Sequence, residues 1–437
     1  MRIAFVTDTY SPEVNGAVTS IVTHTRLLAE RGHEILIMAP TYGEYTDEAH
    51  PGITVHRYPS VSFVTNKATR VAAPSIIDMV ARLRAFEPEI VHIHTPLTIG
   101  IAGLLAAKTL HLPAVQTYHT YIPDFMQYVE PARLLRLDTL QERIMNSIVF
   151  ERVMESGVWQ TLERSRALVE ERADEFVDAV TGISADVAER RPEFTTRLAW
   201  RYTRLIYNRS DLVLTPSIAL KRALLSHGIT APVEYVSNGI DVDLIARKES
   251  YEPSGRIVHA GRLGFEKNVD VVIEAFARVA EKHPGLVLDI RGDGPARGSL
   301  ERLAAALGLE SQVRFTGFVD RAVLAREYRD YDCFVTASTM ETQGIVLLEA
   351  MAAGLPVVGV RALAVPEIVR SARDGIVVPP GDVQSFAHAI ERLVSDDQLR
   401  ERLGRQSAVD VQRHAIKSVV SELERLYRQT AASYAKA

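Results

Sequence analysis

The sequence lacks most of the features that would cross-link a chain or fix it in a membrane. Cys333 is the single cysteine among 437 residues, which excludes a disulfide framework and a cysteine-based metal site and fits a reducing compartment. No window approaches the roughly 18 uninterrupted apolar residues of a membrane-spanning helix. The first eight residues form a short apolar run without the cleavage site of a signal peptide. These absences predict a soluble cytoplasmic protein.

An excess of charge of one sign is also missing. The formal net charge is -5 and charged residues make up 24% of the chain, which argues against a general nucleic-acid-binding protein. The loops 261–268 and 338–350 carry no Asp-x-Asp metal motif, and the pair His92 and His94 lies along the pattern of a buried strand. The sequence therefore predicts no metal site.

What the chain does contain is two series of short aliphatic runs that alternate with helical patterns. The length suits two α/β domains with an insertion or a tail, and two domains imply a cleft. Runs separated by helices are typical of parallel sheets. The first series covers residues 3–7, 34–39, 90–94 and 114–118, and the second covers 256–260, 286–290, 313–316, 333–337 and 356–360. Two Rossmann-like domains are therefore predicted.

Turn residues and helical periodicity give the domain limits. Gly and Pro at 228–232, followed by Asn238-Gly239, mark a linker, which predicts domains over 1–232 and 233–408. The segment 409–437 is one amphipathic pattern, expected to be a helix that returns to the first domain. Residues 131–210 predict a helical insertion whose apolar face packs on its own domain, on a second copy in a homodimer, or on a membrane surface.

The stretch 338–350 carries two carboxylates eight positions apart. The pattern places Glu341 in a loop at the end of a strand and Glu349 one to two turns into the following helix. The backbone N–H groups of Gly344 and Ile345 would then open a helix that can receive a phosphate. One carboxylate could reach hydroxyls of a sugar and the other those of a ribose. Taken alone, such a pair is weak evidence, because solvated glutamates are common in helices.

A second loop, 261–268, follows the first strand of the same predicted domain. Its cations Arg262 and Lys267 suit a diphosphate, because Arg offers a planar donor fork and Lys a mobile point charge. Together they would neutralise the charge that accumulates as a sugar–diphosphate bond breaks. A solvated loop is the alternative. Loops at the carboxyl ends of parallel strands are where ligands bind, which favours the diphosphate.

These motifs resemble glycosyltransferase family 4, whose members have the GT-B fold of two Rossmann-like domains facing across a cleft. Within that family the N-terminal motifs are similar to those of bacterial diacylglycerol glucosyltransferases. The motifs that carry the resemblance are Gly261-Arg262, Glu266-Lys267-Asn268, Glu341 with Glu349, residues 236–241, 7–12 and 14–17, His94-Thr95-Pro96, Thr117-Tyr118-His119-Thr120 and Glu341-Thr342-Gln343-Gly344.

The resemblance implies a role for each matching residue. Arg262 and Lys267 would bind the diphosphate, Glu349 the ribose, and Glu341 the hydroxyls of the transferred sugar. Gly344 and Ile345 would also contact the donor.

In the first domain the resemblance implies two further donor contacts. Gly16 would let backbone approach the diphosphate closely, because it has no side chain. His119 would lie at the edge of the donor sugar and orient a hydroxyl, although a histidine at a strand end is otherwise more often structural. In the second domain, Arg291-Gly292-Asp293-Gly294 and Gly317-Phe318-Val319 are candidate turns beside the nucleotide, with ordinary structural turns as the alternative.

The resemblance further implies transfer of glucose from UDP-glucose to a diacylglycerol-type lipid, with retention of configuration, by an enzyme peripheral on the inner face of the membrane. No cofactor is expected besides the nucleotide-sugar substrate. GDP-mannose as donor, with a lipid or a soluble sugar as acceptor, is the main enzymatic alternative. Two other classes stay open: a sugar-nucleotide epimerase, which needs no acceptor, and a non-catalytic nucleotide-sugar sensor.

Overall fold

The computed structural model describes residues 1–63, 66–119 and 192–436. Two compact units are present. The first comprises Met1–Leu214, Ala223–Glu234 and Leu426–Ala437, and the second comprises Thr215–Arg222 and Tyr235–Arg425. The predicted insertion 131–210 lies outside the described residues as far as residue 191.

The first unit is built on a seven-stranded sheet with a separate two-stranded ribbon. The strands are β1 Arg2–Val6, β2 Glu34–Pro40, β3 Ile53–Tyr58, β4 Ser60–Phe63, β5 Asn66–Ala72, β6 Ile90–Ile93, β7 Ala114–Thr117, β8 Leu212–Thr215 and β9 Val233–Tyr235. The sheet order is β3-β2-β1-β6-β7-β8-β9, with parallel neighbours from β3 to β8, while β4 and β5 pair antiparallel. Strand β2 is buried at every position after Glu34, which is why it reads as a continuous apolar run.

The helices of this part of the chain are α1 Gly16–Glu30, α2 Ile76–Phe86, α3 Thr98–Thr109, α4 Pro192–Tyr207 and α5 Ile218–Ser226. Helix α5 is divided between the two units after Arg222. Asn15 caps α1 by accepting from the backbone N–H of Val18 at 2.9 Å. Helix α3 lies close to β1, and Gly103 permits this approach: a Cβ there would stand only 2.6 Å from a methyl carbon of Val6.

The second unit is built on a six-stranded sheet in which all paired neighbours are parallel. Its strands are β10 Arg256–Ala260, β11 Val287–Arg291, β12 Val313–Gly317, β13 Cys333–Val335, β14 Val357–Val360 and β15 Gly375–Val378. The order is β12-β11-β10-β13-β14-β15. The direction of strand addition therefore reverses between β10 and β13, and ligands bind in doubly wound sheets at the carboxyl ends beside such a reversal.

The helices of the second unit are α6 Val269–Ala280, α7 Arg297–Ala306, α8 Arg321–Glu327, α9 Ile345–Ala352, α10 Val365–Ile368, α11 Val383–Ser395 and α12 Asp397–Asp410. The last helix, α13 Ile416–Tyr434, begins in the second unit and belongs to the first from Leu426 onward. In the described part of the chain, no helix is both long and apolar enough to cross a membrane.

The predicted fold class is confirmed, since each of the two series of apolar runs forms a parallel sheet. The longest segment of the second unit begins at Tyr235, beside the linker expected near residue 232. Thr215–Arg222 also belongs to the second unit, and the chain returns to the first unit at Leu426. The prediction of one amphipathic segment from Val409 onward is wrong in detail. Val409 belongs to α12 and is 62% exposed, and a turn of 3-10 helix, Val411–His414, separates it from α13.

Candidate active site

Two loops meet at the carboxyl edge of the second sheet, one after β10 and one after β13. The loop after β10 includes a short 3-10 helix, Phe265–Lys267, and Asn268 in the left-handed conformation with φ of 48°. The Asn268 amide donates to the carbonyl oxygen of Ala337 and to the hydroxyl of Thr339, both at 3.2 Å. This side chain therefore ties the two predicted donor loops together.

Lys267 and Glu341, predicted from separate loops, form an ion pair. The Lys267 ammonium lies 2.6 Å from Oε1 of Glu341, and their side chains are 20% and 12% exposed. Burial would raise the pKa of Glu341, but the neighbouring Lys267 holds that pKa below its ordinary value. Glu341 is therefore an ionised acceptor of hydrogen bonds beside a cation.

The helix that follows Glu341 begins as predicted. Gly344 takes a positive φ of 80° immediately before α9, and a Cβ there would stand 2.6 Å from a methyl carbon of Leu347. The first N–H groups of a helix lack intrahelical acceptors, so those of Ile345 and Val346 suit an anion. Both residues are partly exposed.

Arg262 is the exposed cation of the same edge. Its guanidinium donates to Oε1 of Glu266 at 2.5 Å, and 63% of its side chain is exposed, against 8% for Glu266. The pair joins two residues of one loop, and the guanidinium has further N–H donors besides the one bonded to Glu266. A diphosphate could therefore bind the exposed side of the guanidinium while the pair with the buried Glu266 stays in place.

The glycines after β11 have a structural reason besides any contact with a base. A Cβ on Gly292 would stand 1.8 Å from the carbonyl oxygen of Gly261. Two backbone hydrogen bonds, from Gly261 to Arg291 and from Leu263 to Asp293, both of 2.9 Å, join the loop to the one after β10. Close backbone packing positions the loop that carries the two cations.

Glu349 lies on α9 as predicted, but its partner was not found from the sequence. Arg321, at the start of α8, donates from Nε to Oε1 of Glu349. The Glu349 side chain is 4% exposed and that of Arg321 is 43% exposed. The two residues are separated by 28 positions and lie on different helices, so no local spacing pattern in the sequence predicts the pair.

Gln343, within the predicted motif Glu341-Thr342-Gln343-Gly344, links the loop after β13 to residues 237 and 238. Its amide oxygen accepts from the backbone N–H of Asn238 at 2.8 Å, and its amide nitrogen donates to the Ser237 hydroxyl at 2.5 Å. Gln343 is 1% exposed. The motif 236–241 therefore braces the turn between Glu341 and Gly344.

In the first unit, Gly16 is exposed at the first position of α1. The same sheet edge holds a carboxylate whose partners the sequence did not reveal: Asp8, in the loop after β1, is 5% exposed. It accepts from the backbone N–H groups of Leu97, Ile99 and Gly100 at 3.0, 2.6 and 3.1 Å. Asp8 thus satisfies the N-terminus of α3 and fixes the loop after β6.

His119 follows β7 and contacts His94, the residue directly after β6. Its Nε2 lies 2.8 Å from Nδ1 of His94, whose ring stacks on Phe5. Burial, with a smaller contribution from His24, lowers the pKa of His119 to about 3. His119 is therefore a neutral ring with one nitrogen committed to His94.

The pH profile should show this neutrality. Because the folded-state pKa lies far below 6.5, His119 takes up a proton only near pH 3. We therefore expect the pH dependence of kcat/KM between pH 5 and 8 to be the same in the wild type and in His119→Asn. Histidine NMR titration, with that variant to assign the resonance, gives the pKa directly. A His119 resonance that titrates near 6.5 would refute the prediction.

Among residues 1–63, 66–119 and 192–436, no group of three or more His, Cys, Asp or Glu side chains is arranged to hold a metal ion. His92 is engaged instead with the Tyr427 hydroxyl and with Thr117 Oγ1, the latter at 2.7 Å. Metal independence remains a prediction.

Comparison with known proteins follows the same two-part division. A family model described as Glycosyltransferase Family 4 matches residues 14–244, and one described as Glycosyl transferases group 1 matches 243–409. Two Rossmann-like domains of these families define a hexosyltransferase of the GT-B fold. Since the first model spans more than half of the chain, the protein belongs to Glycosyltransferase Family 4, as its motifs indicated.

The curated relatives include a glucolipid synthase and a mannosyltransferase. The chain is 25% identical over 372 residues to the alpha-monoglucosyldiacylglycerol synthase of Streptococcus pneumoniae, covering 82% of this chain and 70% of that protein. It is 28% identical over 422 residues to the GDP-mannose-dependent alpha-mannosyltransferase of Mycobacterium tuberculosis, covering 94% and 92%.

Solved structures share the fold at low identity. The sucrose-phosphate synthase of Thermosynechococcus elongatus matches with a TM-score of 0.70 and 18% identity, over 99% of this chain and all of that one. Anabaena HepE in complex with UDP and glucose matches with a TM-score of 0.67 and 18% identity, over 98% and 100%.

Proposed function

We propose that this enzyme transfers glucose from UDP-glucose, with retention of configuration, to a diacylglycerol-type lipid. The observation that carries the proposal is the Lys267–Glu341 ion pair, which sets a cation beside a sugar-binding carboxylate next to the N-terminus of α9. A cation and a helix N-terminus suit a diphosphate, and a carboxylate suits sugar hydroxyls.

The donor-binding roles that we propose are those implied by the family resemblance, and the positions of these residues support them. Lys267, Arg262 and the first N–H groups of α9 would bind the diphosphate, and Glu341 would accept from hydroxyls of the hexose. Glu349 would accept from the ribose hydroxyls. The roles of Gly16 and His119 in the first unit remain those implied by the family resemblance.

Retention by same-face attack suits these residues better than a double displacement. Glu341 is held by Lys267 at 2.6 Å, so it is better placed as a hydroxyl ligand than as a nucleophile at the anomeric carbon. The bond from the anomeric carbon to the phosphate oxygen would break while that to the acceptor oxygen forms. The acceptor proton would pass to the departing phosphate, and the protein would supply positioning and charge.

The lipid acceptor is supported by the relatives and by exposed apolar side chains. Proteins named alpha-monoglucosyldiacylglycerol synthase, from Streptococcus pneumoniae and Acholeplasma laidlawii, are 25% and 24% identical to this chain. Val14 and Leu97, in the loops after the adjacent strands β1 and β6, are 68% and 44% exposed. Apolar side chains at the sheet edge favour an apolar acceptor and peripheral contact with a membrane.

GDP-mannose is the second candidate donor. Mannosyltransferases named for GDP-mannose match 94% and 90% of this chain, each at 28% identity. The diphosphate and ribose contacts described above do not distinguish uracil from guanine. The support for GDP-mannose therefore comes only from these relatives.

Transfer of label from a panel of UDP- and GDP-sugars into the organic phase of a mixed-lipid preparation tests the proposal. Label from UDP-glucose in lipid, lost in Glu341→Ala and Lys267→Ala, is the expected result; label from GDP-mannose would change the donor. Conversion of the donor sugar without an acceptor would indicate an epimerase. Binding without turnover would indicate a sensor, and turnover that needs a soluble acceptor would refute the lipid.

A further inference from the structure

We propose that Arg321 is a positioning residue that orients the Glu349 carboxylate and keeps it ionised, so that it accepts from both hydroxyls of a ribose. The inference rests on the proposed nucleotide-sugar donor and deepens it. It concerns recognition of the nucleoside diphosphate alone, independent of the sugar and the acceptor.

The geometry of the pair is asymmetric. Glu349 is on the second turn of α9, with a side chain 4% exposed, whereas Arg321 is 43% exposed at the start of α8. Arg321 Nε donates to Oε1 of Glu349. The guanidinium therefore bridges from the surface to a buried carboxylate, in the helix that follows β12 at the same sheet edge as the donor loops.

A buried carboxylate without a cation would tend to be neutral. Burial raises the pKa of Glu349, and Arg321 opposes that rise. Tyr328 also faces Glu349: its hydroxyl is buried without a hydrogen-bond partner among the described residues, and burial raises its pKa well above 10, so it adds no charge. Arg321 is thus the charged group set against Glu349.

The charge state decides how many hydroxyls Glu349 can serve. An ionised carboxylate only accepts hydrogen bonds and has four lone-pair positions, so one bond from Arg321 leaves room for two ribose hydroxyls. A protonated carboxyl carries its own donor and loses part of that capacity. Arg321 would therefore determine affinity for the ribose without contacting it.

The test is binding of UDP and of GDP to the full chain by titration calorimetry, with 2′-deoxy analogues of both. Arg321→Met should weaken binding of the preferred nucleotide by about ten- to hundredfold at pH 7, the range expected for loss of a charge-assisted contact. Arg321→Lys should restore most of the affinity. With the 2′-deoxy nucleotide, the loss caused by Arg321→Met should shrink, because one ribose hydroxyl is already gone.

The pH dependence separates this role from a structural one. In Arg321→Met the pKa of Glu349 should rise further, so affinity should recover as pH increases from 5.5 to 8.5, whereas the wild type should change less. Arg326→Met, an exposed site on the same helix, is the matched control, and thermal melts verify folding.

Each failure has a distinct meaning. If the wild type binds nucleotide and Arg321→Met binds it equally well, or loses as much affinity for the 2′-deoxy analogue, the positioning role is wrong while the proposed function stands. If the wild type binds neither UDP nor GDP, the proposed donor site itself is wrong, and this inference with it.

Discussion

Replacing Lys267 with alanine is expected to lower kcat/KM for sugar transfer by about a thousandfold. The ammonium lies 2.6 Å from Glu341 and is 20% exposed, so it can contact an incoming diphosphate while still paired. Negative charge builds up on the departing phosphate as the bond to the sugar breaks, and a fixed cation in a partly dehydrated site stabilises that charge strongly. Alanine would also leave the buried Glu341 carboxylate without its cation.

Steady-state kinetics with the preferred donor measure the effect, and two variants control it. Lys267→Arg keeps the charge and should retain part of the activity. Lys282→Ala breaks an ion pair of similar length, 2.8 Å to Glu391, at a 62% exposed side chain in the same unit, and should leave kcat/KM unchanged. A folded Lys267→Ala enzyme with wild-type kcat/KM would contradict the assignment of Lys267.

The parallel sheets could be predicted because buried strands must be apolar on both faces. The run 256–260 coincides with β10, and the runs 34–39 and 90–94 differ from β2 and β6 by one residue. Parallel strands in two restarting series then restrict the fold to two doubly wound domains.

Elements without that pattern were missed or misjudged. β3 is only partly buried along most of its length, so it lacks a continuous apolar run. The break between α12 and α13 arises because the chain there is packed against a distant segment: the backbone N–H of Ile240 donates to the carbonyl oxygen of His414 at 2.9 Å, and that of Ile416 donates back to Ile240, also at 2.9 Å. Tertiary contacts of this kind leave no helical stop signal in the sequence.

In the candidate site, the sequence predicts which residues are functional but not which residues they contact. Lys267 and Glu341 were singled out for their charge and for loops at strand ends, but their contact spans 74 positions and depends on β10 lying beside β13. The link from Asn268 between the two loops likewise follows from strand order. Arg321 resembled any other surface arginine, because its function depends on Glu349 being buried beneath it.

Gly292→Ala is expected to destabilise the second unit by about 3 kcal/mol and to reduce kcat/KM by about a hundredfold. The new Cβ would stand 1.8 Å from the carbonyl oxygen of Gly261, a backbone atom that cannot rotate away. Relief requires the loops after β10 and β11 to separate, which strains the 2.9 Å hydrogen bond from Leu263 to Asp293. Because the displaced loop carries Lys267, a shift of about 1 Å would misplace the cation.

Gly285→Ala is the matched control, since a Cβ there would meet no heavy atom within 4 Å. Its free energy of unfolding should stay within about 0.5 kcal/mol of the wild type, and its kcat/KM should be unchanged. Urea unfolding and donor kinetics on both variants measure the difference. If Gly292→Ala matched Gly285→Ala in stability and activity, the close approach of the two loops would not position the diphosphate-binding cations. Lost activity at full stability would instead assign Gly292 a direct contact with the nucleotide.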